Sequence, residues 1–352
     1  MNKLVFLLPA LALLAGCGDG SQSSGGSGSG RAIWAAGSST VAPFAARVSE
    51  NFQQKSGRPA PRVETLGTGG GIKLFCSGVG ANTPDIANAS RRMKASEFDL
   101  CARNGVGEIV EIKVGADGIV IAGERSGPAF DFRLQDIYNG LAAEIPRGGG
   151  FAPNPNRTWR DVRADLPAQR IQVYGPPPTS GTRDAFVELG MEAGAEELPA
   201  LAALKKSEED DFKQRAGSLR EDGGWIDAGE NDNAMVQILT RTPGSLGVFG
   251  YSFLEQNRDQ VRAAAIDGVA PTNEAIQDGS YPLSRSLYIY VKKAHVGVTP
   301  GLKEFAQEFV SDSAVGRGGY LLDRGLIPLP QEGVLATRAA VAALAPMPRP
   351  ES

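Results

Sequence analysis

Three short segments carry residue types that could hold a charged ligand. They are residues 37–43 (GSSTVAP), 67–71 (GTGGG) and 175–184 (GPPPTSGTRD). Each is rich in hydroxyls or glycine, and each leads into an amphipathic run. Glycine lets a backbone come close to a ligand. The first turn of a following helix presents free N–H groups, and its dipole favours negative charge. Ser and Thr hydroxyls add donors. One such loop is ordinarily a helix cap. Three, far apart in sequence, can converge on one tetrahedral oxyanion.

Other chemistries fit these residues less well. A nucleotide site would want GxGxxG or GxxxxGK[ST] directly after a strand, and GTGGGIK matches neither. A serine hydrolase would pair Ser180 with a His and an acid. The sole His is His295, which reads as a surface or packing residue, and no G-x-S-x-G elbow occurs. With one His, a metal site is not expected, nor is a cofactor.

The elements that must position the segments alternate. Residues 32–36 (AIWAA) read as a buried strand entering GSSTVAP, and 43–56 as a helix with Phe44, Val48 and Phe52 on one face. A strand at 62–66 precedes GTGGG, and a helix starts near Ile72. Residues 83–89 form a strand and loop ending in Ser90-Arg91-Arg92, and a helix carries Met93, Phe98 and Leu100. Two strands follow at 108–113 and 118–122, then a short helix at 132–138. Residues 141–156 read as loop, and 158–162 as a short element. Strand 171–174 feeds GPPPTSGTRD, and the next helix turns Phe186 and Leu189 to one face. Residues 196–221 read as a solvated helical excursion with an acidic run at 196–211. A helix at 235–239, a buried strand or turn at 247–251, a strand at 287–291, and a helix at 302–310 with Leu302, Phe305, Ala306 and Phe309 inward complete the pattern. The tail from Met347 reads as frayed. Trp34, Trp159 and Trp225 read as packing, and the 229–233 loop as a helix cap or a cleft-facing loop. Strand–loop–helix repetition implies a mainly parallel α/β sheet. Ligands in such sheets bind beyond the carboxyl ends of the strands, where these loops lie.

The first thirty residues are not part of the fold. A positive start and an apolar run at 4–15, too short to span a bilayer, form a signal peptide over 1–16. The run ends in Leu14-Ala15-Gly16-Cys17, similar to a bacterial lipobox, so Cys17 is the expected lipidation site and 17–30 a flexible tether. The chain is then exported, to the periplasm or cell surface, and anchored by lipid only. That leaves Cys76 and Cys101, an even pair in an exported chain, as the expected disulfide. The 352 residues carry a formal charge of −4, which argues against nucleic acid as a partner. Their 41% apolar content is enough for real cores.

Five stretches in order carry a resemblance. They are GSSTVAPF at 37–44, GTGGGIKLFC at 67–76, DIANASRRMK at 85–94, TSGTRDAF at 179–186 and GSLGVFGYSF at 244–253. The chain resembles the extracytoplasmic phosphate-binding proteins of phosphate ABC transporters from about residue 33 to 330. The resemblance implies an α/β, two-lobed periplasmic-binding-protein fold with the ligand cleft between the lobes and two crossover strands. The crossings are expected near 114–117 and 283–287, giving lobe 1 as 31–115 plus 286–345 and lobe 2 as 116–285. It implies high-affinity binding of inorganic phosphate by a monomer, delivery to inner-membrane ABC permease subunits, and no enzymatic activity. The alternatives are another oxyanion such as sulfate, a phosphate sensor without a permease, and a secreted phosphatase or other hydrolase.

Site residues carry over by position. Thr40, with Ser39 as the near alternative, offers a hydroxyl, and Val41 a backbone N–H. Thr68 adds a hydroxyl and Gly69 an amide. Ser90 and Arg91 close the third stretch. Ser180, Gly181 and Thr182 wrap the anion at a helix start, followed by Arg183 and Asp184. Two positions depart from well-known members. Arg91 stands where an Asp accepts the phosphate proton, and Pro176-Pro177-Pro178 replaces a region bearing an Arg. Arg91 or Arg183 is therefore the expected cation, and Asp184 the expected proton acceptor.

Overall fold

The computed structural model describes residues 31–229 and 232–351. The signal segment 1–16, Cys17 and the tether lie outside these residues, as do two positions of the 229–233 loop. No helix among the described residues is long and apolar enough to cross a membrane.

The main sheet has nine strands among the described residues: β1 (Trp34–Gly37), β2 (Arg62–Thr65), β3 (Ile86–Ala89), β4 (Ile109–Glu124), β5 (Val173–Gly175), β6 (Trp225–Asp227), β7 (Leu246–Gly250), β8 (Val261–Ala263) and β9 (Ser284–Lys292). Their order is β2-β1-β3-β9-β4-β7-β5-β6, with β8 also on β4. One wing is parallel through β2, β1 and β3, and the other through β7, β5 and β6. The centre is antiparallel, because β9 pairs antiparallel with both β3 and β4, and β4 with β7. The expected parallel sheet thus holds only in the wings, where helices return the chain.

Nine helices matter to the site: α1 (Ala42–Ser56), α2 (Gly67–Phe75), α3 (Ala95–Arg103), α4 (Leu134–Leu141), α5 (Gly181–Phe186), α6 (Pro199–Ser207), α7 (Glu209–Gly217), α8 (Leu302–Glu308) and α9 (Gln331–Ala343). Helix α5 passes without a break through a π turn at Val187–Glu192 into Ala193–Glu196. α1 buries Phe44, Val48 and Phe52, and α8 buries Leu302, Phe305 and Ala306 with Phe309 following, as the four-residue spacing predicted.

The buried side chains form three clusters. One gathers Ile119–Ala122 of β4 with Phe132, Tyr138, Trp159, Phe186 and Phe249. A second joins Phe44, Val48, Phe52, Phe305 and Phe309 to Val110, Ile112 and Ile289. A third holds Ile72, Phe75, Met93 and Tyr290 around the Cys76–Cys101 disulfide, whose Cα atoms lie 4.2 Å apart. β4 contributes to all three, so it runs through the molecule rather than ending in one wing.

Several expectations are corrected. The two strands read at 108–113 and 118–122 are one, β4, since pairing with β9 continues from Ile109 to Gly118 across a register shift at Leu287/Tyr288. The loop at 141–156 contains a hairpin of Glu144–Arg147 with Gly150–Pro153. Gly148 and Gly149 close it at φ 62° and 82°, the left-handed turn geometry that glycine admits. The excursion at 196–221 is not simply solvated, because Leu201, Phe212 and Ala216 are fully buried. The tail is not frayed at its start. Met347 is buried, its amide donates to the Ile109 carbonyl, and Arg349 pairs with Asp99. β6, β8 and α9 were not anticipated; two of them are three-residue strands, too short for a period to show.

Candidate functional site

Residues 37–41 leave β1 and turn into α1. The Ser38 amide donates to the Asn88 carbonyl, so this loop is held against the end of β3. Thr40 is nearly buried, and its hydroxyl lies 3.4 Å from the Gly181 carbonyl oxygen. The Ser39 hydroxyl donates to the Asp184 carboxylate, 145 residues on. Val41 is fully buried, and its amide points at the Ser38 hydroxyl.

GTGGG is itself the first turn of α2, not a loop before a helix starting at Ile72. The reason is packing against β1. A Cβ on Gly71 would sit 2.3 Å from the Gly37 Cα, so only glycine lets α2 approach this closely. That approach holds the Thr68 hydroxyl 3.0 Å from the Ser90 hydroxyl, and the Ser90 amide donates to it at 3.1 Å.

Ser180 caps α5, its hydroxyl accepting from the Thr182 amide at 3.2 Å. Gly181 meets the first loop directly: a Cβ there would lie 3.0 Å from the Ser39 carbonyl oxygen. Arg183 is engaged within its own wing. It donates to Asp227 at 2.9 Å and to the Pro176 carbonyl, and it lies 4.6 Å over the Trp225 ring. The Trp225 indole packs on Phe186, so the packing reading of this residue is met.

A cavity of about 690 Å³ collects Ser39, Thr40, Thr68, Gly69, Ser90, Arg91, Arg183 and Asp184. Ser180, Gly181 and Thr182 line a smaller cavity of about 160 Å³ that shares Thr40 with it. Val41 lines neither.

Arg91 is tied bidentately to Glu97, at 2.9 and 2.8 Å. This hydrogen bonding raises its pKa against the opposing effect of burial, with the charges of Glu97 and, more distantly, Glu188 adding to the rise. Burial pushes the Glu97 carboxyl up, but the bonds from Arg91 and the Lys94 amide outweigh it and leave the carboxyl below its ordinary range.

Sequence reasoning missed Arg285. It sits on β9, opposite Asp117 of β4, and its side chain is 6% exposed. One guanidinium nitrogen donates to the Thr40 hydroxyl and another to Glu188 at 2.8 Å. Nε has no hydrogen-bond partner and lies 3.8 Å from the Asp117 carboxylate. Burial pushes the Asp117 carboxyl up, with Arg285 opposing. The available signal was an arginine inside an otherwise strong strand, SRSLYIYV, since arginine is almost never fully buried unless paired. Lys205 and Lys213, from the stretch read as a solvated excursion, also line the cleft, Lys205 paired with Glu196 and Lys213 with Glu209.

Neither ring nitrogen of His295 bonds Ser180. Nδ1 is 2.7 Å from Asp85 and Nε2 is 2.9 Å from the Val79 carbonyl, in a buried setting. This is the packing role expected of it, and it gives Ser180 no base. Among the described residues no group of three or more His, Cys, Asp or Glu side chains is placed to hold a metal.

A family model described as the PBP superfamily domain matches residues 20–313. The phosphate-binding protein PstS of Staphylococcus saprophyticus is 29% identical over 91% of this chain and 87% of its own length. Protein SphX of Synechococcus elongatus is 31% identical over 86% of this chain and 79% of its own. The crystal structure of a possible phosphate binding protein from Planctomyces limnophilus superposes with a TM-score of 0.71 at 26% identity, covering 89% of this chain and 98% of that one. An ABC-type phosphate transport receptor from Vibrio cholerae shares the fold at 20% identity, with a TM-score of 0.57 over 85% of this chain and all of that one. The fold is thus the two-lobed one expected, and the chain belongs to the PBP superfamily, with phosphate-binding proteins among its relatives.

Proposed function

We propose that this protein captures inorganic phosphate in the cleft and presents it to an ABC-type import permease, without catalysing a reaction on it. The observation that carries this reading is the meeting of the Thr40, Thr68 and Ser90 hydroxyls with buried and half-buried guanidinium groups on one cavity. The capped helix start at Ser180–Thr182 abuts the same Thr40. The relatives named for phosphate binding support it. Hydrogen bonds to a charged group contribute about 1.5–3 kcal/mol each. Roughly eight to ten donors, less the costs of ordering and closure, are enough for the about −8 kcal/mol of micromolar binding.

In this reading Thr40, with Ser39 as the alternative, and Thr68, Ser90, Ser180 and Thr182 offer hydroxyls, Gly69 and Gly181 offer amides, and Asp184 accepts the phosphate proton; Val41, buried with its amide toward Ser38, leaves the set. The lobes run over 31–115 with 286–345, and over 116–285, joined through β4 and β9. Cys17 carries the lipid anchor of a monomeric, exported protein. Asp184, although exposed, decides between phosphate and sulfate in this reading, because a carboxylate beside the ligand repels an anion that has no proton to give.

Calorimetric titration of the purified protein with phosphate and, separately, sulfate across about pH 5 to 9 tests the reading. One-to-one phosphate binding without a sulfate response is expected. Binding of sulfate alone would overturn it, as would turnover of a chromogenic phosphate ester that Ser180→Ala abolishes.

A further inference from the structure

Two arginines suggested by the sequence as the anion's counter-charge are engaged elsewhere. Both terminal nitrogens of Arg91 are bonded to Glu97, a carboxylate only 17% exposed that also accepts from the Lys94 amide. Arg183 is held by Asp227 and the Pro176 carbonyl and is stacked over Trp225. Asp227 is 48% exposed, so what holds Arg183 back is its bond to a backbone carbonyl and its stacking on Trp225, whereas Arg91 is held by a carboxylate that is itself mostly buried.

Arg285 differs from both in two respects, and shares with Arg183 a half-exposed carboxylate partner. Its side chain is almost wholly buried, yet it lines the same cavity as Thr68 and Ser90. It already donates to Thr40, the hydroxyl that also reaches Gly181 at the start of α5. Its close carboxylate partner, Glu188, is 46% exposed and sits in the π turn that continues α5. A half-exposed glutamate can swing into water at small cost, whereas a buried guanidinium cannot be left without an anion.

Resting on the phosphate reading above, we infer that Arg285 is the cation that binds the oxyanion, and that Glu188 is an internal stand-in which the arriving anion displaces. Charge is conserved in the exchange: one anion leaves the guanidinium as another arrives. The planar fork gives two parallel donors to a tetrahedral oxyanion, and the unpartnered Nε faces the Asp117 carboxylate on the other crossing strand. Because Glu188 belongs to the segment that begins at Ser180, its release frees that segment to move as the ligand binds.

The test is calorimetric titration of inorganic phosphate into the purified wild type, Arg285→Gln, Arg285→Lys and Glu188→Gln, with thermal melts of each. Arg285→Gln should weaken binding at least 100-fold and Arg285→Lys at least tenfold, the scale of breaking a buried charge pair at a bidentate site. Glu188→Gln should tighten binding about three- to tenfold, because the competing anion is gone. If Arg285→Gln fails to fold, the surface-accessible Glu188→Gln still decides. Unchanged affinity in Glu188→Gln, or wild-type affinity in a folded Arg285→Gln, would overturn the assignment of Arg285 alone. A wild type that binds no phosphate would overturn the functional reading itself.

Discussion

Ser39 and Asp184 are joined by a hydrogen bond from hydroxyl to carboxylate, although 145 residues separate them. One lies in the loop before α1 and the other in the first turn of α5, so the bond links the two wings of the sheet across the cleft. Asn keeps an acceptor for Ser39 but loses the charge. Asp184→Asn should therefore fold normally and bind phosphate about ten- to 100-fold more weakly, the scale of one hydrogen bond to a charged group. Sulfate binding, which the reading expects the wild type to lack, should appear. Parallel titrations with both anions check this, and unchanged phosphate affinity would remove Asp184 from the proton-acceptor role.

Gly71 and Gly70 are neighbours with opposite requirements. A Cβ on Gly71 would lie 2.3 Å from the Gly37 Cα, whereas one on Gly70 meets only the Leu66 side chain at 3.4 Å. Gly71→Ala should cost about 2–3 kcal/mol or more, as overpacking does. Gly70→Ala, in a helix, should be neutral or stabilise by about 0.5–1 kcal/mol. Urea unfolding of the two variants gives the comparison.

The Cys76–Cys101 disulfide spans 25 residues of sequence. On the chain-entropy model such a bridge stabilises by about 3 kcal/mol. The Cys76→Ser, Cys101→Ser double variant should lower the unfolding midpoint accordingly. Because the bridge ties α2 to α3, phosphate affinity should fall too, through looser placement of Thr68.

Lys292 is fully buried, with its ammonium donating to the Gly78 carbonyl and to Thr83. Burial pushes it down to about 8, with Asp85 opposing and Arg31 adding. A folded pKa below the unfolded one means that the unfolded chain binds the extra proton between the two values. Stability conferred by this group is thus present above the unfolded pKa and lost as pH falls through about 8. Relative to Lys292→Met, the wild type should gain on the order of 1–3 kcal/mol between about pH 8 and 10. Chemical denaturation at steps through that range would show a flat difference if the reading is wrong.

Glu97 has its carboxyl held below the ordinary range, with burial opposing and the Arg91 bonds prevailing. Its contribution is present above the unfolded pKa and lost as pH falls through the folded one. Arg91→Gln should therefore make the protein unfold at a higher pH on acidification. Its phosphate affinity should stay within about fivefold of wild type, since Arg91 answers to Glu97 rather than to the ligand. A loss of two decades would return the cation role to Arg91.

What the chain reveals unaided is local. Hydroxyl- and glycine-rich segments, the faces of α1 and α8, the strands β1–β3 and the two cysteines are short-range patterns, and steric and hydrophobic periodicity is short-range physics. Family likeness put those segments in one site because their order along the chain is preserved. Long-range pairing was decided only in three dimensions. β4 is one strand because β9 lies beside it through Gly115, and nothing within 109–124 announces that partner. GTGGG is helical because Gly71 packs on Gly37, a contact no local propensity contains. The cation followed the same rule. Arg91 and Arg183 flank the motifs and each finds a carboxylate; Arg285, inside a strand, also finds one in Glu188, but it is the arginine brought to Thr40 by the crossing of β4 and β9. Which cation meets the cleft hydroxyls depends on which groups lie within a few ångströms of it, and that distance is a property of the tertiary structure.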